Sequence, residues 1–161
     1  MPRPDRIEMP SDYAAQTPEA NPLATEAVMN TVRTADLLWD QIGRLLRPLN
    51  VSAAGGLVLG LLKDVGPMSP SELGDRLIVT RATVTGLLDS LERRGYVRRT
   101  AHPSDRRSLV VELTPEGTLV LQQVRELVHR HETAWMSALS EAELRRYIAL
   151  LHRIQDRVAE N

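Results

Sequence analysis

Residues 69–117 read SPSELGDRLIVTRATVTGLLDSLERRGYVRRTAHPSDRRSLVVELTPEG, and the order of elements in this stretch decides the fold. Ser69-Pro70-Ser71-Glu72 supplies an N-cap hydroxyl, a proline at the first helical position and a glutamate that can return the hydrogen bond, which predicts a short helix ending near Leu77. Thr80 caps a second helix, Arg81 to about Arg94, whose Val84, Leu87, Leu88 and Leu91 share one face. Gly95 stands where a C-terminal cap belongs. The period then changes from helical to alternating. Residues 96–100 read as a strand, 102–107 as a basic turn and 108–113 as a returning strand carrying Val110 and Val111. Thr114-Pro115 opens the next helix.

A short capped helix, a tight turn, a second helix and a basic hairpin form the order of a winged helix-turn-helix, which places the chain in a mostly α (α+β) class. On the N-terminal side, apolar residues recur at Val28, Val32, Ala35, Trp39, Ile42, Leu46 and Leu49 in steps of three and four, broken near residue 47 by Pro48 and Asn50. That seam is equally what core packing or a contact between two chains would show. A helix over about 52–64 follows, with Ala53, Ala54, Gly55 and Gly56 near its start. On the C-terminal side one helix runs to about Ala138. Ser140-Glu141-Ala142-Glu143 then caps a last one reaching about Val158. Leu121, Val124, Val128, Trp135 and Leu139 on the first, and Leu144, Ile148, Leu151, Ile154 and Val158 on the second, again form seams.

The chain has 161 residues, 42% hydrophobic and 25% charged, with a formal net charge of −1. One globular domain of ordinary size fits these figures, and no uncharged apolar run approaches the ~20 residues needed to span a bilayer. The start, MPRPDRIEMPSD, has no apolar signal core, so the expected location is the cytoplasm. Five prolines fall within residues 1–22, a segment read as a flexible arm with little to bury. The absence of cysteine excludes disulfides, thiolate zinc sites and thiol redox switching.

A slightly acidic total argues against nucleic acid until it is divided by segment. Residues 69–107 hold eight arginines against five acids, a local +3, whereas residues 1–30 hold two arginines against five acids, a local −3. A concentrated basic patch supplies the phosphate attraction that DNA affinity requires. Arg81, Thr83 and Thr85 lie off the apolar face of the second helix near its N-terminus, the end that enters the major groove in this motif, with Thr80 beside them as the cap. Arginine can donate two hydrogen bonds to guanine, and threonine offers a hydroxyl and a methyl. Arg94 adds charge at the helix end. Arg106 and Arg107, at the hairpin tip, have the length and permanent charge to reach into a narrow minor groove. Double-stranded DNA is therefore the expected partner.

The ordered set Leu91-Glu92-Arg93-Arg94-Gly95-Tyr96-Val97, Asp105-Arg106-Arg107 and Leu113-Thr114-Pro115-Glu116-Gly117 resembles the MarR family of bacterial transcription regulators, and the flanking helices match its layout over about residues 25–159. The resemblance implies a homodimer joined through the first and last helices, two winged modules on a palindromic operator, and repression relieved by a small effector. By position, Arg107 matches the wing arginine of the minor groove, Asp105 the acid that braces it, and residues 80–85 the start of the recognition helix. The division that follows is a flexible arm over 1–22, a dimerisation helix over 23–50, the DNA-binding domain over 51–114 and dimerisation helices over 115–161.

The small residues at 52–56 depart from the bulkier start of this helix in many relatives, and suggest an enlarged pocket for an aromatic or anionic effector near Trp39, Ala54 and Gly55. No metal site or cofactor is expected: His129 and His131 are two apart and point to different sides of a helix, unlike a chelating i, i+4 pair. Nor is catalysis. His102, Ser104 and Asp105 are neighbours on an exposed tip, whereas a triad converges in a water-shielded site. A winged-helix module that binds only protein is the alternative, against which the polar, arginine-bearing second helix argues.

Overall fold

The computed structural model describes residues 6–77, 80–101 and 109–160. It divides into two compact units, one ending at Leu57 and one beginning at Val58. In the first unit, a single turn, α1 (Tyr13–Gln16), precedes the long helix α2 (Pro22–Leu46). Asn21 caps α2 by accepting from the Ala24 N–H at 3.1 Å, and Pro22 sits at the first helical position. The helix thus begins six residues before Val28, where the apolar seam starts. A 3₁₀ turn, Arg47–Leu49, ends it, with Asn50 in the left-handed region at φ 53°. Ser52 then caps α3 (Ala53–Asp64), its Oγ accepting from Gly55 N–H at 3.0 Å, so the glycine pair lies inside the helix.

Two polar contacts join the segment before α2 to that helix. The Met9 N–H donates to Glu26 Oε2 at 3.0 Å, and the Asn30 side-chain amide donates to the Ile7 carbonyl at 2.8 Å. Composition measures apolar mass and overlooks polar tethers of this kind.

The second unit is built around α4 (Pro70–Leu77), α5 (Arg81–Arg93), strands β1 (Val97–Ala101) and β2 (Leu109–Leu113), and the helices α6 (Pro115–Met136) and α7 (Glu141–Ala159). Its core takes Leu59 and Leu62 from α3, Leu73 from α4, Val84, Leu88 and Leu91 from α5, Val97 and Val111 from the strands, and Val120, Leu121 and Val124 from α6. Each such side chain contributes roughly 1.5–3 kcal/mol through burial. The strands pair antiparallel with Val97 opposite Leu113 and Arg98 opposite Glu112. Met68 adds a further bridge, exchanging backbone hydrogen bonds with Val111 at 3.2 and 2.9 Å. A single bridging residue has no periodicity, so sequence patterning does not reveal it.

β1 starts at Val97 and not at Tyr96 because Tyr96 closes α5. Its N–H donates to the Leu91 carbonyl at 3.0 Å and the Gly95 N–H donates to Glu92 O at 2.8 Å. These two bonds, with Gly95 at φ 74°, form a Schellman cap. Thr114 joins the next corner. Its Oγ1 donates toward the Gly95 and Tyr96 carbonyls at 2.6 and 3.2 Å and accepts from Gly117 N–H at 2.9 Å. At α7, Ser140 and Glu143 form the reciprocal capping box foreseen from their spacing. Hydrogen bonds from the Ser140 hydroxyl and backbone N–H hold the Glu143 carboxyl below its ordinary value.

Candidate nucleic-acid interface

The reciprocal bonds between Ser69 and Glu72, 2.7 and 3.2 Å, start α4. Thr80, extended at φ −67° and ψ 155°, starts α5. Thr80 Oγ1 accepts from the Thr83 N–H at 3.3 Å and lies 3.0 Å from Thr83 Oγ1. The cap therefore occupies the Thr80 hydroxyl, and its contribution to an interface is to aim the helix start. Burial of Val84, Leu88 and Leu91 turns Ala82, Thr83, Thr85 and Gly86 outward, all exposed. Arg81 is the first residue of this helix.

Arg94, the C-cap, is also exposed. It lies about 20 Å along the helix axis from Thr80, at a rise of roughly 1.5 Å per residue. The structure thus brings Thr80 and Thr83 together, places Thr85 on the other flank of the buried face, and leaves Arg94 at the opposite end. Residues 102–108 lie outside the described residues. These include the wing candidates Asp105, Arg106 and Arg107, together with His102 and Ser104.

Both arginines of β1 have carboxylate partners within the module, Arg98 while still 64% exposed. Arg98 Nε pairs with Glu112 Oε1 at 2.8 Å across the hairpin. Arg99, its side chain only 22% exposed, reaches back to α5 and pairs with Asp89 at 2.7 Å and Glu92 at 2.5 Å. Partial burial pulls the Arg99 guanidinium down, but the hydrogen bond to Asp89 and the charge of Glu92 outweigh it and hold the group above its ordinary value. Sequence reading counted these arginines toward DNA and missed their partners. Asp89 and Arg99 are ten residues apart on different elements, and no local pattern joins them.

In the first unit, the proposed effector residues differ in exposure. Trp39 is 47% exposed, Ala54 half-buried and Gly55 buried. Among the described residues no three His, Cys, Asp or Glu side chains come together to hold a metal ion. His129 Nδ1 lies 2.9 Å from Glu132 Oε2, and His131 Nδ1 lies 2.8 Å from the Leu127 carbonyl. No single helix among the described residues is long and apolar enough to cross a membrane.

Residues 51–109 match the model of the MarR family. The transcriptional regulator PecS of Dickeya dadantii is 31% identical over 138 residues, covering 83% of each chain. The transcriptional repressor YetL of Bacillus subtilis is 38% identical over 92 residues, 57% of this chain and 55% of its own length. Among solved structures, a mutant MarR from E. coli complexed with operator DNA superposes with a TM-score of 0.69 at 27% identity, covering 80% of this chain and 95% of that one. This module combines two capped helices with a following hairpin, and with these matches the chain belongs to the MarR family of DNA-binding transcription regulators.

Proposed function

We propose that the chain is a homodimeric repressor that reads a palindromic operator in double-stranded DNA and lets go when a small aromatic or anionic effector binds. The observation that carries this reading is the split face of α5, with Val84, Leu88 and Leu91 in the core and Thr83 and Thr85 presented to the outside. In this reading α5 enters the major groove. There Arg81 reads a base, Thr83 and Thr85 touch base edges or phosphates, and Arg94 meets the backbone. Arg106 and Arg107 follow the minor groove, braced by Asp105.

The large apolar residues left open on α2 and, separately, on α7 support pairing of two chains, since a monomer gains nothing by leaving so many of them in water. Similarity to YetL, a transcriptional repressor, supports repression. Release requires only that the effector prefer a dimer whose two α5 helices no longer match half-sites about 34 Å apart. Trp39, Ala54 and Gly55 are the effector residues of this proposal, and the cytoplasm is where it operates.

Footprinting on the protein's own upstream DNA, with and without a panel of small acids and phenolics, tests it. Two protected half-sites one helical turn apart, released by a compound of that class, are expected. No protection on any DNA, with a protein partner captured instead, overturns it. Arg81→Ala should cost roughly 1–3 kcal/mol on the selected site and less on random duplex, measured by fluorescence anisotropy. Equal losses on both would remove Arg81 from base reading.

A further inference from the structure

Asp89 follows Thr85 by four residues and Gly86 by three, so it lies one turn further along the same outward edge of α5. Its side chain is 52% exposed, and that of Glu92, the next acid on this helix, is 38% exposed. Two carboxylates on a helix edge turned toward DNA would repel phosphates. Both are capped by one group. Arg99 places one guanidinium nitrogen 2.7 Å from Asp89 Oδ1 and another 2.5 Å from Glu92 Oε2, while its own backbone N–H donates to Glu92 Oε1 at 3.0 Å. The planar fork of arginine suits this double engagement, and lysine offers only a point charge.

We infer that Arg99 is a positioning residue for DNA binding: from β1 it engages both Asp89 and Glu92 and offsets one of their two negative charges, so that α5 meets the phosphates with less opposing charge. This rests on the reading of α5 as the DNA-facing helix. Arg99 itself stays away from the nucleic acid. The idea differs from a simple brace in one respect, which is that removing the acids should make the arginine dispensable.

The test compares wild type, Arg99→Gln, the pair Asp89→Asn with Glu92→Gln, and the triple variant. Binding is measured by fluorescence anisotropy on a duplex enriched by the wild-type protein from a random library, and on unselected duplex, at low and high salt. Arg99→Gln should weaken binding about tenfold at low salt, and the loss should shrink as salt rises, because repulsion between exposed carboxylates and phosphates is screened. The triple variant should return to within about threefold of wild type, as expected when the lost interaction is with those acids. The carboxylate pair alone, which keeps Arg99, should bind at least as tightly as wild type.

Failure of the triple variant to recover, or weakened binding by the carboxylate pair alone, overturns the inference and leaves the DNA-facing reading of α5 intact. Should Arg99→Gln fail to fold by circular dichroism, the carboxylate pair decides by itself. Absence of wild-type binding to every duplex overturns both readings together.

Discussion

Gly117→Ala should lower the melting temperature by about 6–12 °C, taking a loss of about 3 kcal/mol and 2–4 °C per kcal/mol for a chain of this size. A methyl group at this position would sit 1.9 Å from the Tyr96 carbonyl oxygen, 2.8 Å from its carbon and 3.1 Å from Leu113 Cδ2. The first two atoms are backbone and cannot rotate away. The same carbonyl already accepts from the Thr114 N–H at 3.1 Å and the Thr114 hydroxyl at 3.2 Å, so moving it aside strains the corner that joins α5, the hairpin and α6. Gly60 supplies the control. It is also helical, but an added Cβ there meets nothing within 4 Å, and Gly60→Ala should raise stability by up to about 1 kcal/mol through helix propensity alone. Thermal unfolding followed by circular dichroism reads both. A Gly117→Ala protein melting within a degree or two of wild type would show that the close approach carries no weight.

Ile148→Glu combined with Ile154→Glu should separate the proposed dimer into single chains and reduce operator affinity by about 10²–10⁴, the advantage of engaging two linked half-sites at once. α7 has no buried residue. Ile148 and Ile154 are 50% and 52% exposed, Leu150 43% and Val158 70%. Within one chain these side chains rest against water, so two glutamates there cost the isolated fold little and helix content should persist. At an interface between chains they would bury charge, which is strongly unfavourable without a partner. Sedimentation equilibrium reads the mass and anisotropy the affinity. A wild-type protein that sediments as one chain, or a double variant that stays paired, would remove these residues from the interface.

Much of the architecture was legible because it is written over short distances. The capping boxes at Ser69 and Glu72 and at Ser140 and Glu143 each close over three residues. The α5 face of Val84, Leu88 and Leu91 repeats within the helical period. Thr83 and Thr85 were readable as outward for the same reason: they flank Val84, and once its stripe is buried the residues to either side turn away from the core. Less was legible where one element meets another. Arg98 and Arg99 looked like charge offered to DNA, and the hairpin instead places them against Glu112 and against Asp89 with Glu92.

Local sequence thus sets the succession of helices and hairpin, the buried stripe of α5 and the concentration of arginine between residues 69 and 107, since caps, periodicity and composition depend on neighbours within a few positions. It takes the docking of separate elements to set Arg99 against Asp89 and Glu92, to bridge Met68 to Val111, to make Tyr96 a helix cap before the strand begins, and to leave residue 117 no room for a side chain. The physical reason is the same in each case. Ion pairs, bridges and close backbone approaches depend on how separate elements dock, and docking is set by the packing of the whole core, which no short window of sequence contains.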